Sequence, residues 1–196
     1  MSGAAPLGKE LIEEVYRKLP NIKYIVQSYG MTESGMTSHY PILDREHYAA
    51  AGRLLSNFSQ KIVDIDTGKE LPIGQKGEVY LKTPSNMMGY FNNPQATAET
   101  LTSDNWLKTG DIGYLDEDGW LYVVDRLKEM IKVKGFQVAP AELEGLLLSN
   151  PDVQDCAVIG IPDEKSGEVP KAYVVKKNPN LTELQVKEFI KGIHSL

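Results

Sequence analysis

The chain contains very little cysteine, which limits the chemistry open to it. Cys156 is the single cysteine in 196 residues. An internal disulfide framework is therefore excluded, and a reducing compartment is favoured. Cys156 lies in the apolar run of residues 155–160, a setting typical of a buried small side chain rather than a reactive thiol. Histidine is also scarce, and the spacing of eight between His39 and His47, with no cysteine nearby, is a poor pattern for metal ligands.

The sequence also lacks long apolar runs and an excess of positive charge. No apolar run approaches the roughly 18 residues of a membrane span, and residues 1–7 do not resemble a secretory leader. Twenty-one basic against 27 acidic residues give a net charge of -6. Because nucleic-acid binding needs concentrated positive charge, no nucleic-acid partner is expected. One basic segment, residues 126–134, could serve a small anion.

Hydrophobic patterning predicts a mixed architecture, α/β at the start and α+β later. Residues 1–50 show a helix over 8–19 and a β-rich run over 22–27 that leads into a polar glycine turn. Residues 51–125 hold short strand-like runs between turn signals, which predicts a small antiparallel sheet or barrel-like subdomain. Residues 129–196 predict a second domain, a compact βαββα unit with helices starting near Pro140 and Thr182.

The most informative segment is residues 27–34, with the sequence Gln-Ser-Tyr-Gly-Met-Thr-Glu-Ser. A hydroxyl and a carboxylate beside a glycine turn suit a nucleotide. Glycine lets the backbone approach a phosphate, the hydroxyl can donate to that phosphate, and the carboxylate can reach its metal ion. The alternative is an ordinary turn into a helix with an N-terminal cap.

Two later polar clusters follow in order. Asp111, in residues 106–113, can accept both hydroxyls of a ribose, although an aspartate beside glycine is also a common structural turn. In residues 124–144, Lys132 and Lys134 alternate with apolar residues and are predicted to project from one face of a strand. Gly135 beside them would let a ligand approach the backbone; the alternative is a solvated charged hairpin between domains.

These clusters together resemble the acyl-adenylate-forming (AMP-binding) superfamily, and most closely 4-coumarate:CoA ligases, acyl-CoA ligases and beetle luciferases. The matching runs are residues 2–7, 29–33, 89–94, 108–111 and 125–144. The resemblance implies the later part of such an enzyme. The family's Ser/Thr/Gly-rich phosphate loop would precede Met1, and its C-terminal adenylation lysine would follow Leu196. The chain alone is therefore expected to adenylate poorly or not at all.

The resemblance implies a role for each matching position in the first part of the chain. Thr32 would hydrogen-bond the α-phosphate, and Glu33 would hold Mg²⁺. Asp111 would bind the ribose with Arg126 as its partner there, and the positions beside the adenine would be Gln27, Ser28 and Tyr29, with Tyr29 stacked on it. The pocket for the carboxylic acid would include Gly3, Ala4 and Gly30, and His39 is expected near it.

In the small domain, the resemblance implies Lys128 as the hinge about which that domain turns between two half-reactions. Lys132, the third implied catalytic residue beside Thr32 and Glu33, and Gln137 would approach the adenylate in the second half-reaction. Lys134 and Gly135 would lie beside CoA. The implied domains are residues 1–50 and 51–125 of the large domain, the hinge 126–128, and an incomplete small domain 129–196.

The implied function is an ATP-dependent carboxylic acid:CoA ligase. A carboxylic acid would attack ATP to give an acyl-adenylate, and CoA would then displace AMP, with ATP, Mg²⁺ and CoA as cofactors. Two alternatives stay open: a non-catalytic nucleotide- or partner-binding remnant, and a luciferase-type monooxygenase. A separate N-terminal part of the same enzyme is a possible partner, and the expected location is cytoplasmic or peroxisomal.

Overall fold

The computed structural model describes residues 3, 7, 9–41, 43 and 45–193. It divides into two compact units, Met1–Leu127 and Lys128–Leu196. The elements of the first unit are α1 (Lys9–Lys18), β1 (Tyr29–Met31), a 3₁₀ turn (Thr32–Ser34), β2 (Met36–Tyr40), β3 (Gly52–Leu54), β4 (Ser59–Val63), β5 (Gly77–Lys82), α2 (Pro94–Thr100), β6 (Leu107–Leu115) and β7 (Trp120–Arg126). Those of the second are β8 (Ile131–Val133), β9 (Phe136–Val138), α3 (Pro140–Leu148), β10 (Val153–Asp163), β11 (Gly167–Lys176) and α4 (Glu183–Ile193).

The first unit is built on one antiparallel sheet of seven strands in the order β1-β2-β3-β7-β6-β5-β4. Among the described strands, β1 and β4 form the two edges and do not pair with each other, so the sheet is open rather than a closed barrel. Its core is a cluster of buried residues: Ile62, Val79, Leu81 and Leu121 on the strands, and Ala51 directly before β3. The mixed α/β class predicted from the sequence is confirmed, with antiparallel sheets.

The segment that leads into the glycine turn differs from the prediction. Residues 22–26 form no strand, and the strand β1 begins later, at Tyr29. Its partner β2 returns immediately, with Gly30 opposite Thr37. A Cβ on Gly30 would lie 1.8 Å from the carbonyl oxygen of Met36. The tight hairpin therefore needs glycine here, and the segment forms the edge of an antiparallel sheet rather than a glycine turn after a strand over 22–27.

The second unit has a four-stranded sheet in the order β10-β11-β8-β9, with α3 and α4 as its helices. It contains the predicted βαββα elements and one more strand, β9. Lys134 and Gly135 connect β8 to β9 with positive φ values of 51° and 86°, the conformation that two-residue hairpin turns require. The core joins Ile131 to Leu143, Leu147 and Val158. In the part of the chain that the structure describes, the helices are too short to cross a membrane.

Candidate functional site

The carboxylate of Asp111 joins the three polar clusters of the sequence. Asp111 on β6 pairs in register with Arg126 on β7. The Tyr29 hydroxyl donates a hydrogen bond to Asp111 Oδ2 at 2.6 Å, and Arg126 Nε lies 3.6 Å from Oδ1. The side chain of Asp111 is 13% exposed, whereas that of Arg126 is 69% exposed. The carboxylate is thus held by a half-buried neutral donor on one side and a solvent-facing cation on the other.

The strand around Asp111 is fixed by neighbouring polar groups. Thr109 Oγ1 donates to the carbonyl of Val79 at 2.8 Å and accepts from Asp111 N at 3.1 Å. Gly110 has a φ of 73° and donates its N–H to Glu78 Oε1 at 3.1 Å. Burial raises the pKa of Glu78, and the bond from Gly110 opposes that rise. Residues 107–113 of this cluster are therefore part of the strand β6 and do not form the structural turn that was the alternative.

The phenol of Tyr29 is in its protonated, donating form. Burial first, and then the negative charge of Asp111, raise its pKa well above the ordinary value. Its ring lies 5.6 Å from the His39 ring at an interplanar angle of 60°. Ser38 Oγ bonds the Tyr29 carbonyl at 3.3 Å. The strand β2 therefore holds both the ring and the backbone of Tyr29.

His39 is a buried, neutral residue next to this site. Its Nδ1 lies 3.0 Å from Ser38 Oγ and its Nε2 lies 2.7 Å from Gln60 Oε1. Burial lowers the pKa of His39 to about 4. The second histidine, His47, stacks on Trp120 with ring centroids 4.3 Å apart. Within the described ranges, no group of three or more histidine, cysteine or acidic side chains could hold a metal ion.

The turn Thr32–Ser34 presents a hydroxyl and a carboxylate at the end of β1. Thr32 is exposed, and the turn closes at Gly35 with a φ of 83°. The backbone carbonyl of Glu33 accepts a hydrogen bond from Met87 N at 2.8 Å. The side-chain Oε1 of Glu33 accepts one from the Tyr90 hydroxyl at 2.9 Å. Burial and the bond to Glu33 raise the pKa of Tyr90. The sequence marked the run 89–94 only as a resemblance and missed this contact.

The other residues of the first cluster have structural contacts. Gln27 is buried, and its amide bonds both backbone groups of Leu7 and the carbonyl of Tyr48, at 2.9, 3.2 and 3.1 Å. A Cβ on Gly3 would lie 3.7 Å from Ser28 Oγ, so Gly3 and Ser28 are neighbours. Ala4 lies outside the described residues. Contacts of Gln27, Ser28 and Gly3 with a ligand stay predictions.

The site residues of the second unit lie on the β8–β9 hairpin. Lys132 and Gln137 are direct cross-strand partners, so their side chains share one face. Lys132 N donates to Glu168 Oε2 at 2.8 Å. The expectation that Lys134 shares the strand with Lys132 does not hold, since Lys134 lies in the turn with Gly135. Lys128, the predicted hinge, is the exposed first residue of this unit.

Comparison with known proteins gives a consistent set of relatives. The sequence model described as AMP-binding enzyme matches residues 1–91, and the model of the AMP-binding enzyme C-terminal domain matches residues 142–193. The 4-coumarate–CoA ligase-like 4 of Oryza sativa subsp. japonica is 53% identical over 193 residues, which are 97% of this chain and 35% of that protein. The chain thus spans about a third of the length of the curated relatives that it matches.

Solved structures resemble the whole of the chain. ATP-bound MatB from Rhodopseudomonas palustris has a TM-score of 0.88 and 34% identity over 99% of this chain and 38% of its own. The o-succinylbenzoate CoA synthetase of Bacillus subtilis, in complex with its acyl-adenylate intermediate, has a TM-score of 0.84 and 34% identity over 98% of this chain and 39% of its own.

Proposed function

Because this chain belongs to the AMP-binding, acyl-adenylate-forming enzymes, we propose that it carries part of the nucleotide site of an ATP-dependent carboxylic acid:CoA ligase. The relatives include CoA ligases and structures bound to ATP or an acyl-adenylate. Their names refer to small carboxylic acids, and the substrate class proposed for this chain follows from them.

One observation carries the proposal: the Asp111 carboxylate is held between Tyr29 and Arg126. A carboxylate has about four lone-pair positions, so it can accept hydroxyl groups of a ribose in addition to its protein donors. The exposed guanidinium of Arg126 adds positive charge beside a polyanionic ligand. Tyr29 lies three residues before Thr32 on β1, so this strand links the proposed ribose contact at Asp111 to the proposed phosphate contact at the Thr32–Ser34 turn.

The Thr32–Ser34 turn fits the phosphates and their metal ion. The Thr32 hydroxyl is exposed, and among the described residues it has no hydrogen-bond partner. A single carboxylate such as Glu33 suits Mg²⁺, because this ion is commonly bound by one or two carboxylates with the substrate phosphates and water supplying its other ligands. When bound, Mg²⁺ would neutralise charge on the ATP phosphates. Thr32 and Glu33 would orient the α-phosphate for attack by the carboxylic acid.

The second half-reaction is assigned to the second unit by resemblance. Lys132 and Gln137 share one face of the β8–β9 hairpin and would approach the adenylate together. Lys134 and Gly135, at its tip, would lie beside the thiol arm of CoA. Lys128 would be the hinge about which the second unit turns between the two half-reactions.

Calorimetry with AMP tests the proposed ribose contact. We expect the Asp111→Asn variant to bind AMP at least tenfold more weakly than the unchanged chain, since the amide keeps the shape but loses acceptor capacity and charge. Asp118→Asn is the matched control, because Asp118 is an exposed residue of the β6–β7 turn. Equal AMP affinity in the two folded variants would contradict the proposal.

Activity is tested separately by pyrophosphate release from ATP with a panel of aromatic and fatty acids. Because the 196-residue sequence contains no Ser/Thr/Gly-rich loop that ends in lysine, we expect little release by this polypeptide alone. Release restored by a separately expressed N-terminal part would support a divided ligase. AMP binding without any restored release would favour the nucleotide-binding remnant.

A further inference from the structure

The Glu33 carboxylate is held on one side by a residue far away in the sequence. The Tyr90 hydroxyl donates to Glu33 Oε1 at 2.9 Å across 57 positions. Met87 N donates a hydrogen bond to the Glu33 carbonyl at 2.8 Å, so the segment before Tyr90 also contacts the backbone of the Thr32–Ser34 turn. No hydrogen-bond partner of Glu33 Oε2 exists among the described residues. One oxygen is thus fixed by a protein donor, and the other is available to a ligand.

Tyr90 itself is fixed by the short helix α2. Its N–H donates to Thr97 Oγ1 at 2.9 Å, and the Thr97 hydroxyl donates to the carbonyl of Asn93 at 2.9 Å. Asn93 caps the helix through Oδ1, which accepts from Ala96 N at 3.0 Å. Gly89 has a φ of 148°, and a Cβ there would lie 2.8 Å from the Thr97 side chain. The approach of Tyr90 to Glu33 is therefore built into the backbone between Gly89 and α2.

We propose that Tyr90 is a positioning residue for the Glu33 carboxylate: it orients Oε2 toward a divalent cation bound with a nucleoside triphosphate. This inference rests on the proposed function, in which Glu33 holds that cation. A free glutamate side chain rotates about three bonds, and fixing it before the ion arrives removes an entropic cost from binding. A Tyr90 hydroxyl that stays on Oε1 also leaves a single oxygen for Mg²⁺, as a site completed by phosphates and water requires.

The test is calorimetric titration of ATP into the 196-residue chain over a series of MgCl₂ concentrations, with EDTA as the metal-free point. Mg²⁺ should tighten ATP binding, and the titrations give the Mg²⁺ concentration at which half of this effect is reached. We expect that concentration to be about tenfold higher for Tyr90→Phe, because one hydrogen bond to a charged group is lost. AMP affinity in EDTA should change less than twofold. Thr97→Val, which loosens Tyr90 without removing its hydroxyl, should shift the Mg²⁺ dependence in the same direction by a smaller factor.

Two further variants separate positioning from general damage. Tyr40→Phe is the matched control, since Tyr40 is exposed to a similar degree (43% against 38% for Tyr90) and its hydroxyl has no hydrogen-bond partner among the described residues. Glu33→Gln sets the full effect of losing the carboxylate. If Tyr90 acts through Glu33, the double variant should show no greater loss than Glu33→Gln alone.

The outcomes distinguish the inference from the function on which it rests. ATP binding by the unchanged chain that does not respond to Mg²⁺ would overturn the proposed role of Glu33, and the inference with it. A normal Mg²⁺ response in the unchanged chain that persists unaltered in Tyr90→Phe would overturn the inference alone. Additive losses in the double variant would also overturn it, because Tyr90 would then act independently of Glu33.

Discussion

The bond between Tyr29 and Asp111 predicts a measurable loss of stability in the variant Tyr29→Phe. The bond is short, at 2.6 Å, and its acceptor is a charged carboxylate with only 13% of its side chain exposed. Hydrogen bonds to charged groups contribute about 1.5–3 kcal/mol net. Arg126 lies 3.6 Å from the other oxygen and is largely exposed, so it cannot replace the lost donor. We therefore expect a free energy of unfolding lower by about 2 kcal/mol.

The assay is urea unfolding at pH 7, followed by tryptophan fluorescence. Both tryptophans, Trp106 and Trp120, belong to the first unit, so the signal reports on the unit that contains the bond. With a urea dependence of about 2 kcal/mol per molar, the midpoint should fall by about 1 M. Tyr114→Phe is the control, since that ring keeps its stacking on Tyr122 at 5.0 Å and loses no bond among the described residues.

The pH dependence of stability above pH 10 tests the bond between Tyr29 and Asp111 independently. The pKa of Tyr29 is raised in the folded chain, so above about pH 10 the unfolded chain loses a proton that the folded chain keeps. Stability should therefore fall with rising pH, by up to about 1.4 kcal/mol per pH unit, and Tyr29→Phe should lack this contribution. The difference between the two proteins should narrow above pH 10. A difference under about 0.5 kcal/mol at pH 7, or one that widens at high pH, would refute this reasoning.

Three further predictions concern other buried groups. Burial lowers the pKa of His39 to about 4, so below pH 6.5 the folded chain binds fewer protons than the unfolded chain. Up to about 3 kcal/mol of the free energy of unfolding should therefore be lost between pH 6.5 and 4. Urea unfolding of His39→Gln should not show this fall of stability with pH. Gly30→Ala should destabilise the first unit by more than about 3 kcal/mol or prevent its folding, because the new Cβ would meet the Met36 carbonyl. Gly74→Ala should cost about 1 kcal/mol, because only the positive φ at this residue is strained. Equal thermal midpoints of the two variants would contradict this prediction. Burial and the nearby Glu144 raise the pKa of Cys156 to about 11, so iodoacetamide should alkylate it about a hundredfold more slowly in the folded chain than in urea, and equal rates would show an activated thiol.

Local sequence patterns predicted the elements whose signals are short in range. The short strand-like runs predicted between turn signals in residues 51–125 are present, and β5 and β7 are two of them. The helix α2 begins at Pro94, and the Asn93 side chain caps it. The cap at Thr182 is likewise present, with Gln185 N donating to its hydroxyl at 3.3 Å. In these cases the deciding contacts lie within a few residues.

Patterns that depend on a distant partner were misread. Within the β-rich run at residues 22–27, residues 22–26 form no strand, and the edge strand of the sheet is Tyr29–Met31, paired with β2. The structural turn that was the alternative at Gly110 is not found, because β6 continues through this residue and pairs with β5 on one side and β7 on the other. An isolated glycine cannot show whether it serves a turn, a bulge or a close approach of backbones.

The sequence by itself determined the family, since its three polar clusters and their order were sufficient for the resemblance that the comparisons bear out. It also determined the absence of a disulfide framework, because a single cysteine cannot form one. The tertiary structure alone decided which side chains support the candidate site. The partners of Asp111 and Glu33 are Tyr29 and Tyr90, 82 and 57 positions away. Contacts of that length are set by strand order and register, which no local pattern of residues encodes.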